Sequence, residues 1–125
     1  DVHNRLVMYQ RIANAEHDAA LKELQVEMID RFGLLPDQIK NLFRQNRLKL
    51  KAQAIGVTHI EASAGSGRME FGKDTNIDPM VLVKLVQTQP RNFKLEGGTK
   101  LRFTLAMEKT ETRFQRMEDL IKLLS

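Results

Sequence analysis

Three carboxylates and one guanidinium group, closely spaced along a predicted helix, are the first candidates for a chemical role. Glu23, Glu27 and Asp30 follow one another at intervals of four and three residues, and Arg31 comes next. Because an α-helix turns once in 3.6 residues, the three acids share one face over more than one turn. Arg31 lies four residues after Glu27, which favours an ion pair within the helix. This acidic stripe is either a solvated helix face, as most are, or a surface for contact with a partner.

Four basic side chains form a second stripe on the next predicted helix. They are spaced by four, three and four residues: Lys40, Arg44, Arg47 and Lys51. Such a row of cations can follow the phosphates of a nucleic acid, which would make the chain an accessory nucleic-acid-binding domain. The alternative is a solvated face that keeps the chain soluble. That alternative is favoured, because no exposed aromatic residue interleaves with the cations to stack on bases.

Residues with the spacing of a catalytic or metal site are scarce. The three histidines, His3, His17 and His59, are far apart and the chain has no cysteine, so neither a metal site nor a disulfide is predicted. Gly65–Gly67 precedes a predicted strand instead of the helix N-terminus that a phosphate loop needs. Gly72–Thr75 lacks the remaining residues of a P-loop. No enzymatic activity and no cofactor are therefore expected of this chain.

The acidic stripe lies on the second of three predicted helices, whose ends carry recognisable signals. Its apolar face consists of residues at helical spacing: Leu21, Leu24, Met28, Ile29 and Phe32. Asp18 is the predicted N-cap, and Gly33 ends the helix because glycine tolerates positive φ. Pro36 suits the first turn of the next helix. The segment between these helices is thus a corner. Leu34 and Leu35 are expected to pack into the core and to hold this corner in place.

Spacing and turn residues predict a helical first half and a second half in which hairpins alternate with helices. The first three helices are expected at His3–Ala15, Ala19–Phe32 and Pro36–Ile55. Turns at Ala64–Gly67 and Gly97–Gly98 predict two β-hairpins. Asp78–Pro79 begins a helix that is apolar nearly all round and is expected to be buried, and Thr110 is expected to cap a last helix. The predicted class is α+β, with a small, mostly antiparallel sheet from two hairpins covered by about five helices.

Length and composition describe an ordinary globular domain. The 125 residues, 42% hydrophobic and 29% charged, suffice for one core, so residues 1–125 are expected to form a single domain. The net charge of +4 permits contact with nucleic acid. No apolar run reaches the ~20 residues of a membrane span and no signal peptide is visible, so no membrane partner is expected. Because the chain opens on Asp1 and not on methionine, we expect a fragment of a longer protein.

Several segments, sharpest in the first half of the chain, resemble a known family. They are Arg5-Leu6 with Tyr9, Arg11-Ile12-Ala13 with Ala15, the run from Glu27 to Pro36, Asn41-Leu42, the run from Ala54 to Val57, and Glu70-Phe71. Together they are similar to the C-terminal domain of bacterial transcription-repair coupling factors, most distinctively in the run Asp-Arg-Phe-Gly-x-Leu-Pro. The Walker and helicase motifs of the family's motor are missing here, so ATP hydrolysis and DNA translocation are not expected of these residues.

The resemblance implies a regulatory role in a bacterial, cytoplasmic protein. The parent protein uses ATP and Mg to move on DNA, displaces a stalled RNA polymerase, and recruits the damage sensor UvrA in nucleotide excision repair. Its C-terminal domain is understood to dock on an N-terminal UvrB-like module and to hide the surface that binds UvrA. Such surfaces are expected to be arginine-rich, and carboxylates bind guanidinium groups directionally. Glu27 and Asp30 are therefore the expected interdomain contacts, with Glu23 and Arg31 as weaker candidates.

Overall fold

Two helices and most of a third form the first of two compact units into which the described chain divides. The computed structural model describes residues 2–125, and the division falls between Leu50 and Lys51. Helix α1 spans Val2–Asn14, α2 spans Asp18–Phe32 and α3 spans Asp37–Ala54. The core of the first unit consists of apolar side chains from all three helices and the turn before α3: Met8, Ile12, Leu21, Leu24, Met28, Leu35, Ile39 and Phe43. The three helices predicted from apolar spacing are confirmed.

The corner between α2 and α3 directs only one of its two leucines into this core. Gly33 has a φ of 77°, and its N–H donates to the carbonyl oxygen of Ile29 at 2.8 Å, which confirms the predicted end of α2. Leu35 is 7% exposed, whereas Leu34 is 94% exposed. The prediction that both leucines attach the corner to the core is therefore wrong for Leu34. Successive side chains in a non-helical segment point to different sides of the backbone, so only one of them can face inward.

Two predicted helix caps are wrong. Asp18 is the first helical residue of α2 and not its N-cap, and Thr110 likewise begins its helix instead of capping it. The Asp18 carboxylate contacts Lys22 Nζ at 3.1 Å and Arg47 Nε at 3.3 Å. Its oxygens thus serve two side-chain cations in place of the backbone N–H groups of the first turn, which are the usual donors to a capping carboxylate.

The second unit contains a four-stranded antiparallel sheet built from two hairpins. In chain order its elements are β1 Val57–Ala62, β2 Ser66–Phe71, α4 Pro79–Thr88, β3 Phe93–Glu96, β4 Lys100–Thr104 and α5 Thr110–Leu124. The strand order is β1-β2-β4-β3, so the pairing of β2 with β4 joins the hairpins. Gly97 and Gly98, with φ of 61° and 74°, form the predicted turn of the second hairpin. The predicted α+β class with an antiparallel sheet is confirmed.

Helix α4 is capped as predicted but is less buried than predicted. The Asp78 carboxylate accepts a hydrogen bond from the Met80 N–H at 2.9 Å, and Pro79 is the first helical residue. Leu82 and Leu85 are buried, whereas the side chain of Met80 is 69% exposed. The helix contacts strand β3. Since packing against one element covers only one side of a helix, apolar residues on the other side can remain in water.

Candidate interaction site on helix α2

Helix α2 presents the predicted carboxylates on its outer side because its opposite side is buried. The buried side chains, none more than 5% exposed, are Leu21, Leu24 and Met28. Glu23 and Asp30 are exposed, and Glu27 is partly buried. Helical spacing thus places the three acids on one face, with their Cα atoms held by a helix that is anchored in the core of the first unit.

Glu27 is bound within the unit by an arginine from the neighbouring helix. Arg11 Nη2 of α1 lies 2.7 Å from Glu27 Oε2, and the two side chains are 48% and 36% exposed. The hydrogen bond from Arg11 is the largest influence on the pKa of the Glu27 carboxyl and lowers it; desolvation opposes this shift, and the positive charge of Arg11 adds to it. The charge of Arg31 lowers this pKa further, but the hydrogen bond comes from Arg11. Sequence reasoning missed Arg11, because no local spacing connects residues on two different helices.

Asp30 and Glu23 differ from Glu27 in having no such partner. Both are exposed, and the structure of residues 2–125 shows no ion pair or hydrogen bond made by either carboxylate. An unpaired carboxylate on a rigid helix can accept a guanidinium group without first giving up an internal partner. Of the expected contacts, Asp30 is therefore the one that the fold leaves most available.

Apolar side chains are exposed beside these carboxylates. Ile29 and Phe32, which belong to the apolar face predicted for α2, are 43% and 49% exposed, and Val26 is 60% exposed. The apolar face is thus only partly buried, because a helix packed on one side buries only about half of its circumference. We name the exposed residues of this region the α2 patch: Glu23, Val26, Ile29, Asp30, Phe32 and Leu34. Neighbouring exposed apolar side chains with a polar rim are typical of protein–protein contact sites.

The basic stripe of α3 is not a continuous free surface. Arg47 Nη2 donates to Gln25 Oε1 at 2.7 Å, in addition to the Nε contact with the first residue of α2 described above. Arg44 is partly buried, whereas Lys40 and Lys51 are exposed. A phosphate backbone that followed this stripe would have to displace the Arg47 guanidinium from α2, so the stripe is a poorer phosphate surface than its spacing suggests.

Among residues 2–125, no group of three or more His, Cys, Asp or Glu side chains is arranged to hold a metal ion. Nor does any helix in this part of the chain have both the length and the apolar character needed to cross a bilayer.

The ion pair between Arg11 and Glu27 predicts a specific pH dependence of stability. Because the folded state lowers the pKa of Glu27, the pair stabilises the fold at neutral pH, and this contribution is lost as the pH falls below 4.5, the ordinary value, and through the lowered one. In Glu27→Gln the pair is absent at every pH. Urea unfolding should therefore show a modest deficit for Glu27→Gln at pH 7 that shrinks on acidification.

Glu23→Gln is the matched control for this measurement, because it removes an exposed carboxylate from the same helix. Its difference from the wild-type chain should stay near zero across the same pH range. A Glu27→Gln deficit that did not change with pH would show that the pair contributes nothing through its charge.

Comparison with known proteins gives consistent matches. Residues 1–82 match the family model described as the TRCF domain. The transcription-repair-coupling factor of Escherichia coli (strain K12) is 39% identical over 115 residues, which cover 92% of this chain and 10% of the relative. That of Haemophilus influenzae is 37% identical over 125 residues, covering 100% of this chain and 11% of the relative. The chain thus spans about a tenth of the length of these curated relatives.

A solved structure has the same fold. It is described as the crystal structure of the C-terminal domain of transcription-repair coupling factor, and it matches with a TM-score of 0.75. The match covers 99% of this chain and 83% of that one, at 20% sequence identity. The arrangement of helices and strands described above is therefore one that has been observed by crystallography.

Proposed function

We propose that the chain, which belongs to the TRCF domain family, is a non-catalytic regulatory domain that docks on another part of its parent protein. The partner in this proposal is the N-terminal UvrB-like module, and docking masks its UvrA-binding surface during nucleotide excision repair. In this docking role, UvrA, RNA polymerase and DNA act on the domain indirectly, through a parent protein whose motor uses ATP and Mg. The chain itself takes no cofactor and acts in the cytoplasm.

The observation that carries this proposal is the exposed α2 patch. Asp30 and Glu23 have no ion-pair or hydrogen-bond partner within residues 2–125, and Val26 lies between them along α2, 60% exposed. Leu34, at 94% exposure, extends the apolar surface past the end of α2. A partner that offers arginines around an apolar depression would satisfy both kinds of group at once. Glu27 joins such a contact only by sharing its carboxylate with Arg11.

A small contact suffices for a regulatory lock that must also open. Holding a two-state equilibrium 99% closed requires about 2.7 kcal/mol. A few charge-assisted hydrogen bonds and one or two well-packed apolar side chains supply energies of this order. The α2 patch has the size and composition for such a reversible contact, and interfaces between domains of one chain are commonly more polar than obligate ones.

The proposal is tested by mixing this chain with the separately produced N-terminal UvrB-like module and measuring the dissociation constant by calorimetry at low and high salt. We expect association that weakens with salt, because added ions screen the carboxylate–guanidinium attraction. Some association should persist at high salt, because ions do not screen apolar contacts. This salt-resistant part of the association should be lost in Leu34→Ser. No association at any salt concentration would refute the docking function.

The matched control for Leu34→Ser is Met80→Ser. It replaces an apolar side chain of the second unit that is also exposed, at 69%, but lies outside the α2 patch. Met80→Ser should bind the module as the wild-type chain does. Equal losses in both variants would mean that the effect is non-specific and that the α2 patch is not the docking surface.

A further inference from the structure

The outer face of the sheet in the second unit is almost entirely polar. Met69, Leu101 and Phe103 have no exposed surface, and they fill the inner face of β2 and β4. Since side chains alternate along a strand, the residues between them point outward. In register, Arg68 of β2 lies opposite Arg102 of β4, and Arg102 lies opposite Lys94 of β3. Three cations therefore stand side by side across three adjacent strands.

A row of like charges opposes sheet formation. Directly opposed like charges on neighbouring strands repel each other and lower stability. The row of Arg68, Arg102 and Lys94, which we name the cationic row, is compensated only in part by nearby carboxylates. Glu61 Oε2 lies 3.3 Å from Arg68 Nε, and Glu96 Oε1 lies 3.4 Å from Arg102 Nε. Both distances exceed the 2.7–2.9 Å of a strong charge-assisted hydrogen bond.

The guanidinium groups consequently keep unused donors. Glu61 makes its short contact with His59 Nε2, at 2.9 Å, instead of with Arg68. Arg68 Nε is buried and makes no well-formed hydrogen bond among residues 2–125, and its ion pair with Glu61 Oε2, at 3.3 Å, is long. The side chain as a whole is 39% exposed, so a ligand oxygen can reach the rest of the guanidinium group. Incompletely paired donors of this kind gain free energy when a ligand supplies a better acceptor.

Both arginines line a shallow depression of about 620 Å³ on this face. Hydroxyl groups complete its rim, and the polar lining residues are Glu61, Ser63, Ser66, Arg68, Arg102 and Thr104. Guanidinium forks next to hydroxyl donors match the oxygens of a phosphate group, which arginine binds in bidentate fashion. Adjacent strands lie about 4.8 Å apart, so the cationic row extends roughly 10 Å, which exceeds the ~3.4 Å of helix axis per phosphate of one strand and is long enough to meet two successive phosphates.

We propose that the outer face of the sheet binds the phosphate backbone of a nucleic acid, with Arg68 and Arg102 clasping one phosphate and Lys94 contacting the next. Binding is independent of base sequence, because the strands of this face, all within residues 2–125, place no Phe, Tyr or Trp side chain outward for stacking, and the one imidazole there, that of His59, contacts Glu61. The carboxylates of Glu61, Glu70 and Glu96 lie on the same face and keep the affinity modest. This site is separate from the α2 patch and does not rest on the docking function.

The test is fluorescence anisotropy of a labelled single-stranded oligothymidine, titrated with this chain at several salt concentrations. We expect binding that weakens with salt, and a loss of about tenfold or more in affinity for the double variant Arg68→Gln/Arg102→Gln. Its plot of log affinity against log salt should be shallower by about 0.7, the value for one lost phosphate contact on a single strand. The single variant Glu61→Gln should bind more tightly, because it removes a competing acceptor beside Arg68.

The matched control is Lys40→Gln/Lys51→Gln, which removes two exposed cations of the α3 stripe and the same total charge. It should retain most of the binding. The proposal is overturned if the wild-type chain does not bind, if the α3 double variant loses as much affinity as the sheet double variant, or if Glu61→Gln weakens binding. Thermal unfolding of each variant separates a lost site from a lost fold, and the gain in Glu61→Gln cannot arise from unfolding.

Discussion

Replacing Asp30 with arginine should weaken association of this chain with the N-terminal UvrB-like module by tenfold or more. Asp30 is exposed and makes no ion pair within the described residues 2–125, so its carboxylate is free to meet the arginines expected on the partner. The substitution removes one attraction and adds a repulsion of like charges, which at an interface costs more than a neutral replacement. Calorimetry or anisotropy at low salt gives the dissociation constants of wild type and variant.

Asp30 is a sharper test than Glu27, although both belong to the expected contact. Glu27→Arg would place a second cation beside Arg11, 2.7 Å from the present carboxylate oxygen, and would therefore disturb the fold as well as the interface. Asp30→Arg leaves the internal pair intact. The matched control is Asp74→Arg, which reverses an exposed carboxylate of the second unit.

The parent protein offers a second readout for the same substitution. If docking hides the UvrA-binding surface, Asp30→Arg in the full-length protein should raise its affinity for UvrA, because the closed state is less populated. An unchanged affinity for UvrA together with an unchanged affinity for the module would exclude Asp30 from the contact. Equal losses of module binding in Asp30→Arg and Asp74→Arg would point to net charge instead of a specific site.

Gly56→Ala should destabilise the second unit by about 2–5 kcal/mol. Gly56 has a φ of 84°, and a left-handed backbone costs a residue with a Cβ about 1–2 kcal/mol. A Cβ at this position would also lie 2.3 Å from the Thr75 Cα, closer than any two unbonded carbon atoms can approach. Thr75 is not free to retreat, since its Oγ1 donates to the carbonyl oxygen of Ile55 at 2.7 Å. Displacing packed backbone adds about 1–3 kcal/mol.

Gly97→Ala separates the two contributions in this prediction. Gly97 also has positive φ, 61°, but a Cβ there meets nothing within 4 Å, so only the backbone cost of about 1 kcal/mol applies. Urea unfolding followed by circular dichroism gives both free energies of unfolding. Equal losses in the two variants would mean that the close approach of Thr75 to Gly56 imposes no constraint.

Local sequence signals predicted most of the secondary structure of this chain. Apolar spacing located the helices, Gly33 marked the end of α2, and Gly97–Gly98 located a hairpin turn. Such signals work because they depend on backbone conformation within a few residues, which the residue types there restrict directly. The wrong predictions of Asp18 and Thr110 as N-caps also relied on local signals. At Asp18 the carboxylate instead contacts Arg47 of α3, which is distant in sequence.

The same spacing also predicted which side of α2 carries the three acids, since helical geometry alone decides which residues share a face. The sequence could not decide what each acid contacts, because the arginine that binds Glu27 lies on another helix. It did not separate Leu35 from Leu34, or Met28 from Phe32, because all are apolar and only the limited contact area between packed helices selects which become buried. Nor did it reveal that Arg68, Arg102 and Lys94 stand in one row, since strand register is fixed by pairing between distant segments. Residue types and spacing thus determined the elements of this domain, and long-range packing decided which side chains remain available for partners.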